Sequence, residues 1–85
     1  MKEITTKSGC TLSIDTDNLD DMELLDALAE LNENPLLLSK VAIMMIGEEN
    51  KRRLYEDLRT EKGNIPVQAF NDALMEIMEL AGAKN

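Results

Sequence analysis

Few residues in this 85-residue sequence are able to do chemistry. The chain contains no histidine and a single cysteine, Cys10. The absence of histidine removes the commonest general base, the usual partner of a serine nucleophile and most zinc sites. Cys10 lies in an alternating apolar and polar stretch without a basic cluster beside it, so we interpret it as a packed side chain and not as a nucleophile. One cysteine also excludes a disulfide within the chain.

Acidic residues are abundant, but their spacing predicts no metal site. Asp15 and Asp17 resemble the start of a calcium-binding loop, yet Leu19 stands where the third ligand belongs and Asp20 stands where the loop requires glycine. The other carboxylates fall on the periodic polar faces of predicted helices. We therefore expect no catalytic residues, no cofactor, no metal and no enzymatic activity.

The negative charge is concentrated in the first part of the chain. The formal net charge is −8, and residues 1–34 carry nine acids and two bases, whereas residues 35–85 carry eight acids and seven bases. A chain with this much negative charge repels the phosphates of DNA and RNA, and we therefore expect no nucleic-acid binding. An acidic half could instead steer a basic protein partner. The basic cluster Lys51-Arg52-Arg53 lies four residues from several glutamates, which favours a solvated helix face over phosphate contact.

Hydrophobic periodicity predicts a mainly α fold with an N-terminal β-hairpin. Alternation with a period of two predicts the hairpin over residues 1–15, with strands near 2–6 and 10–14 and a turn at Lys7-Ser8-Gly9. Helical periodicity predicts a small single domain, 1–85, of about four helices at 20–32, 36–46, 48–59 and 66–81. Asp20 and Glu23 predict a capping box at the first helix. Gly47 favours a break between the second and third helices.

The segment 36–46 has apolar side chains on every side, since only Ser39 and Lys40 are polar. It is too short to span a membrane, which takes roughly 20 apolar residues, so we expect no membrane contact. It is either the buried centre of the domain or a helix with one face covered by another chain. We predict partner contact for the residues that this helix and the last helix cannot bury within the domain: Leu37, Leu38, Met44, Met45 and Met75. The alternative for each is ordinary core packing. If Met45 is a contact residue, Met45→Glu abolishes binding and preserves helical structure.

The N-terminus lacks the long apolar core of a signal peptide, and nothing in the cysteine content indicates an oxidising compartment. We therefore expect a cytoplasmic protein.

Segments of the sequence resemble two known protein families. Residues 17–28, D-N-L-D-D-M-E-L-L-D-A-L, resemble the modification site and second helix of acyl carrier proteins. However, Asn18 stands where those proteins have the serine that carries the phosphopantetheine arm, and a hairpin pattern stands where they have a long helix. We interpret this match as an acidic cap followed by an amphipathic helix.

The second resemblance covers nearly the whole chain. It is carried by residues 2–9 (K-E-I-T-T-K-S-G), 21–30 (D-M-E-L-L-D-A-L-A-E) and 54–61 (L-Y-E-D-L-R-T-E). These segments are similar to phage tail assembly chaperones, which are encoded just upstream of the tape-measure protein in long-tailed phages and prophages of Gram-positive bacteria. The resemblance implies a non-enzymatic factor, in the bacterial host cell, that binds tape-measure protein, recruits tail-tube proteins and is absent from the finished virion. It assigns no site residue.

Such chaperones are often made in short and frameshifted long forms. Ala83-Lys84-Asn85 can be encoded across a slippery A-rich heptamer, a hypothesis that a lysine codon AAG would remove.

The alternative function is a small acidic regulatory or inhibitor protein of phage origin that imitates the charge of DNA. Genes for tube and tape-measure proteins beside this one would favour the chaperone, whereas repressor or replication genes would favour the regulator. Self-association into a homo-oligomer stays open.

Overall fold

A computed structural model of the chain describes residues 1–82. Two strands, β1 (Lys2–Thr5) and β2 (Thr11–Ile14), precede three α-helices in this part of the chain: α1 (Met22–Leu31), α2 (Leu38–Leu58) and α3 (Val67–Leu80). Short 3-10 helices at Thr16–Leu19 and Pro35–Leu37 lead into α1 and α2.

The mainly helical fold with an N-terminal hairpin is confirmed. The expected number of helices is corrected from about four to three, because the predicted segments 36–46 and 48–59 join to form α2. The three residues of the frameshift hypothesis, Ala83-Lys84-Asn85, lie outside the described residues.

Gly47 lies at the junction of the two predicted helices and keeps a non-helical conformation. Its φ of 85° and ψ of 164° belong to a region that is open almost only to glycine. The predicted break is therefore a kink, with the arms 38–46 and 48–58 running in different directions from it. An apolar arm and a charged arm thus share one helix.

The hairpin buries one face against the helices. β1 and β2 pair antiparallel with Ile4 opposite Leu12. The period of two then places Ile4, Leu12 and Ile14 on the same side, where all three are buried. Gly9 has a φ of 96° in the turn, and its N–H donates to the carbonyl of Thr6 at 2.9 Å. A hairpin that is marginal alone is stabilised here by the helical core.

Side-chain hydrogen bonds tie the hairpin to α2 and α3. Asn50 Nδ2 donates to the carbonyl of Ser13 at 2.8 Å and to the carbonyl of Ile46, beside the kink, at 2.9 Å. The backbone N–H of Lys7, in the turn, donates to Glu76 Oε2 at 2.7 Å. The turn of the hairpin and the C-terminal part of β2 are thereby held on the helices.

α1 begins one residue later than the predicted capping box implies. Asp21 is the N-cap, and its Oδ1 accepts a hydrogen bond from the N–H of Glu23 at 2.9 Å. Asp20 instead closes the preceding 3-10 helix, where its N–H donates to the carbonyl of Asp17 at 3.1 Å. The acidic run therefore caps two consecutive helices.

The buried apolar side chains of the hairpin and the three α-helices form one cluster. Its fully buried members include Leu12, Ile14, Leu24, Met45, Leu54, Leu74 and Ile77. The solvent face of α2 carries the ion pairs Glu48–Arg52 and Glu49–Arg53, each at 3.5 Å and four residues apart in the chain. Among the helices of residues 1–82, none has the combination of length and hydropathy that a membrane span requires.

Candidate protein-binding groove

An open groove of about 500 Å³ lies where the junction of α1 and α2 meets the start of α3. It shares Pro35, Leu38 and Val67 with a neighbouring depression of about 240 Å³. None of the residues that line the two is charged, although 31% of the chain is Asp, Glu, Lys or Arg. We call this surface the uncharged groove. It is defined by Leu31, Pro35, Leu36, Leu38, Tyr55, Ile65, Val67 and Phe70, with neutral polar residues between them.

Two large apolar side chains stand on the rim of the groove. Leu36 is 90% exposed and Val67 is 69% exposed. Leu36 lies in a tight 3-10 helix that starts at Pro35 and is capped by Asn34, whose Oδ1 accepts from the N–H of Leu36 at 3.3 Å. Val67 is the first residue of α3 and follows Pro66. Exposed apolar side chains around a concave apolar surface are typical of a binding site.

Sequence reasoning missed both rim residues. Val67 follows the helical spacing of apolar residues in the predicted helix 66–81, but it lies in the first turn of α3 and is exposed outside the buried core. Leu36 belongs to the apolar segment 36–46 but not to the five residues for which we predict partner contact. The Asn34-Pro35 stop signal could have identified it, since this signal ends the preceding helix and places Leu36 in the connection between two helices.

Two aromatic rings form the floor of the groove. The ring centroids of Tyr55 and Phe70 are 5.1 Å apart, with an angle of 63° between the ring planes. This edge-to-face packing stabilises such a pair by about 0.5–1.5 kcal/mol beyond the area it buries. α2 and α3 are thereby held together directly beneath the groove.

Lys51 lies behind the wall of the groove and is only 9% exposed. Its Nζ donates to Ser39 Oγ at 3.1 Å and lies 5.3 Å from the centroid of the Tyr55 ring. Glu48 Oε2 lies 3.8 Å from the same Nζ and forms an ion pair with it. The interpretation of the basic cluster as a solvated face is therefore wrong for Lys51, although its two arginine neighbours are exposed. The buried ammonium orients two groove residues, Ser39 and Tyr55, through a hydrogen bond and a cation–π contact.

The loop between α2 and α3 is held by Arg59. Its guanidinium donates to the carbonyl of Gly63 at 2.7 Å and to both carboxylate oxygens of Glu56, at 2.7 and 3.3 Å. These bonds hold the pKa of Glu56 below its usual value and raise the pKa of Arg59. The N–H of Thr60 donates to the carbonyl of Asn64 at 2.8 Å. The loop thus presents Gly63 and Asn64 at the groove in a fixed conformation.

The structure separates the five residues for which we predicted partner contact. Leu38 lines the groove, and Leu37 and Met44 are half-buried. Met75 is 40% exposed on α3 and lies outside the groove lining. Met45 has no exposed surface and lies in the core, which corrects the expectation that it meets a partner.

The carboxylates and the single thiol are the side chains of the described residues that remain to be considered for chemistry. Residues 1–82 contain no group of three or more His, Cys, Asp or Glu side chains placed to hold a metal ion. Cys10 is buried, and burial raises the pKa of its thiol, with the negative charge of Asp57 adding to the rise and Arg53 opposing it. The thiol is therefore protonated at neutral pH and is a poor nucleophile.

Comparison of the chain with protein-family models, with curated proteins and with solved structures finds no match.

Proposed function

We propose that this protein is a phage tail assembly chaperone, a non-enzymatic protein that binds tape-measure and tail-tube proteins in the cytoplasm of the bacterial host cell. The observation that supports the proposal is the uncharged groove, with Leu36 and Val67 exposed at its rim. The sequence resemblance adds to it, because the segment 54–61 contributes Tyr55 to the floor of the groove and Arg59 to the loop that borders it.

The occupant we propose for the groove is an apolar stripe of an amphipathic helix. A lining without charge offers no partner for Lys or Glu side chains, so a charged segment would lose hydration there without compensation. A helix of a long coiled-coil protein such as a tape-measure protein carries a regular apolar stripe. This stripe is exposed to water until the helix packs against its own coiled-coil partners. Recognition by helix-in-groove packing through residues spaced three and four apart suits both surfaces.

A groove of this size also suits binding that must be reversed. Small interfaces give weak or transient complexes, whereas permanent complexes bury far larger areas. A chaperone that is released when the tail is complete requires such a transient complex. The exposed rim supplies apolar area, and the rigid floor and loop keep the ordering cost low.

The test is co-expression of this protein with the product of the nearest downstream tape-measure gene, followed by a pull-down. We expect a complex that keeps the tape-measure protein soluble. The double substitution Leu36→Ser and Val67→Ser should abolish the complex without unfolding the chain, because both side chains are exposed. Met75→Ser is the matched control, since it removes an exposed apolar side chain of α3 outside the groove.

Failure of the proposed chaperone role and failure of the groove as the binding surface give different results in this experiment. An insoluble and unbound tape-measure protein would overturn the chaperone proposal. A complex that survives the double substitution as well as it survives Met75→Ser would overturn the groove as its binding surface.

The charge distribution favours a second candidate, a small acidic regulatory protein that imitates DNA. Between Lys7 and Lys40 the chain has eight acidic residues and no basic residue. An inhibitor of this kind would compete with DNA for a basic DNA-binding protein and would not solubilise a coiled-coil protein. Displacement of DNA from the product of a neighbouring repressor or replication gene would favour it over the chaperone.

A further inference from the structure

A second apolar surface lies at the other end of α1 and α3. A depression of about 310 Å³ is formed where the start of α1 meets the last turns of α3, which contribute Met78. Met22 and Leu25 line it and are 66% and 57% exposed. Met78 follows Val67 by three turns of α3, so roughly 16 Å along the helix axis separates this surface from the uncharged groove. The two surfaces are far enough apart to be occupied together.

Charge distinguishes this surface from the uncharged groove. Asp20 and Asp21 line it, and Glu23 and Asp26 are exposed on the same helix. On α3, the exposed neighbour of Met78 is another acid, Glu79. Within residues 1–82 every ion pair lies between positions 48 and 59, so the carboxylates of α1 meet no cation there. We call this combination of apolar and acidic side chains the acidic α1 surface.

We propose that the acidic α1 surface docks a basic amphipathic segment of a partner protein. The apolar side chains of such a segment would cover Met22 and Leu25, and its Lys or Arg side chains would meet Asp20 and Asp21 at the rim. A second copy of the chain fits less well, because a symmetric contact would place the same acidic residues against each other. The inference does not depend on what occupies the uncharged groove.

The test uses the full chain and a labelled synthetic helix of roughly four turns, made of Leu and Lys in amphipathic order. Fluorescence anisotropy measures its affinity against two control peptides, one with the same composition in scrambled order and one with Glu in place of Lys. We expect the amphipathic basic peptide to bind about tenfold more tightly than either control, with an affinity that falls as salt is added.

Variants locate the binding. Asp20→Asn with Asp21→Asn removes two charges and keeps an N-cap, because asparagine caps as well as aspartate does. This pair, and separately Leu25→Ser, should each weaken binding about fivefold. The matched control is Glu3→Gln with Glu61→Gln, which removes the same charge from exposed positions elsewhere and should change affinity less than about twofold.

Three results would overturn the proposal. The scrambled basic peptide could bind as tightly as the amphipathic one, or the matched control could weaken binding as much as the variants of the acidic α1 surface. The third is a dimer of the chain, seen by sedimentation, that Leu25→Ser dissociates, since the occupant would then be a second copy.

Discussion

Replacement of Met45 by alanine should lower the unfolding free energy by about 2–4 kcal/mol. Met45 has no exposed surface and lies in the central cluster of apolar side chains. Alanine would remove the methylene, thioether and methyl groups and leave a cavity that its neighbours fill only in part. The cost combines the lost transfer free energy of these groups with the free energy of that cavity.

The effect is large for a domain of this size. The whole unfolding free energy of an 85-residue domain is about 4–13 kcal/mol. From the usual entropy of unfolding per residue, the thermal midpoint should fall by roughly 10–20 °C. The denaturant slope should stay unchanged, since the same surface is exposed on unfolding.

Urea denaturation followed by far-ultraviolet circular dichroism measures this change. Met75→Ala is the control, since Met75 is 40% exposed on α3, and it should cost less than about 1 kcal/mol. A cost for Met45→Ala no greater than that for Met75→Ala would refute the placement of Met45 in the core. For the same reason Met45→Glu should unfold the domain, because it would bury an unpaired carboxylate. Unfolding of Met45→Glu is the outcome that ordinary core packing of Met45 predicts, whereas a contact residue would leave the helical structure of the variant intact.

Three further predictions concern the kink, the hairpin and the thiol. Gly47→Ala should cost about 1–3 kcal/mol in urea denaturation, because its backbone conformation strains any residue with a Cβ; a more stable variant would show that α2 can straighten. Asn50→Ala should cost about 1–2 kcal/mol and speed amide hydrogen exchange in the hairpin, since two hydrogen bonds to carbonyls are lost; exchange at the wild-type rate would contradict the anchoring of the hairpin. Cys10 should react with a disulfide reagent at mildly alkaline pH at least about tenfold more slowly in the native protein than in urea, because it is buried and its pKa is raised; equal rates would contradict its burial.

The sequence was sufficient for the parts of the fold that depend on local pattern. The hairpin follows from alternation around a glycine turn, and α1 and α3 follow from apolar side chains at helical spacing. Two of the ion pairs on α2 follow from the four-residue spacing of Glu48–Arg52 and Glu49–Arg53. Each of these features is settled by residues that are close in the chain.

Other features depend on how the elements pack, and a local pattern does not contain that information. Met44 and Met45 are adjacent apolar residues, and only the orientation of α2 against the hairpin decides that Met45 is the fully buried one. Met22 and Leu25 match the apolar arc of α1, but a domain this small covers only part of that arc. Lys51 appears solvated in a basic cluster, yet its long apolar stem is packed in the interior.

The candidate site was the least predictable part, because it is built from distant segments. The uncharged groove combines residues from 31–39, Tyr55 and residues 63–71. Of the five predicted contact residues only Leu38 lies in its lining. A search for apolar residues just after a helix stop or at a helix start would have found Leu36 and Val67.

We propose that the uncharged groove is the surface by which this protein binds its partner. The most direct measurement is the change in backbone amide resonances of the isotope-labelled protein when a soluble tape-measure fragment, taken from the co-expressed complex, is added. The claim predicts that the largest shifts fall in residues 35–39 and 63–71, around Leu36 and Val67, and leave the hairpin turn unchanged. Shifts centred on the hairpin or on Met75, with the groove unaffected, would contradict it.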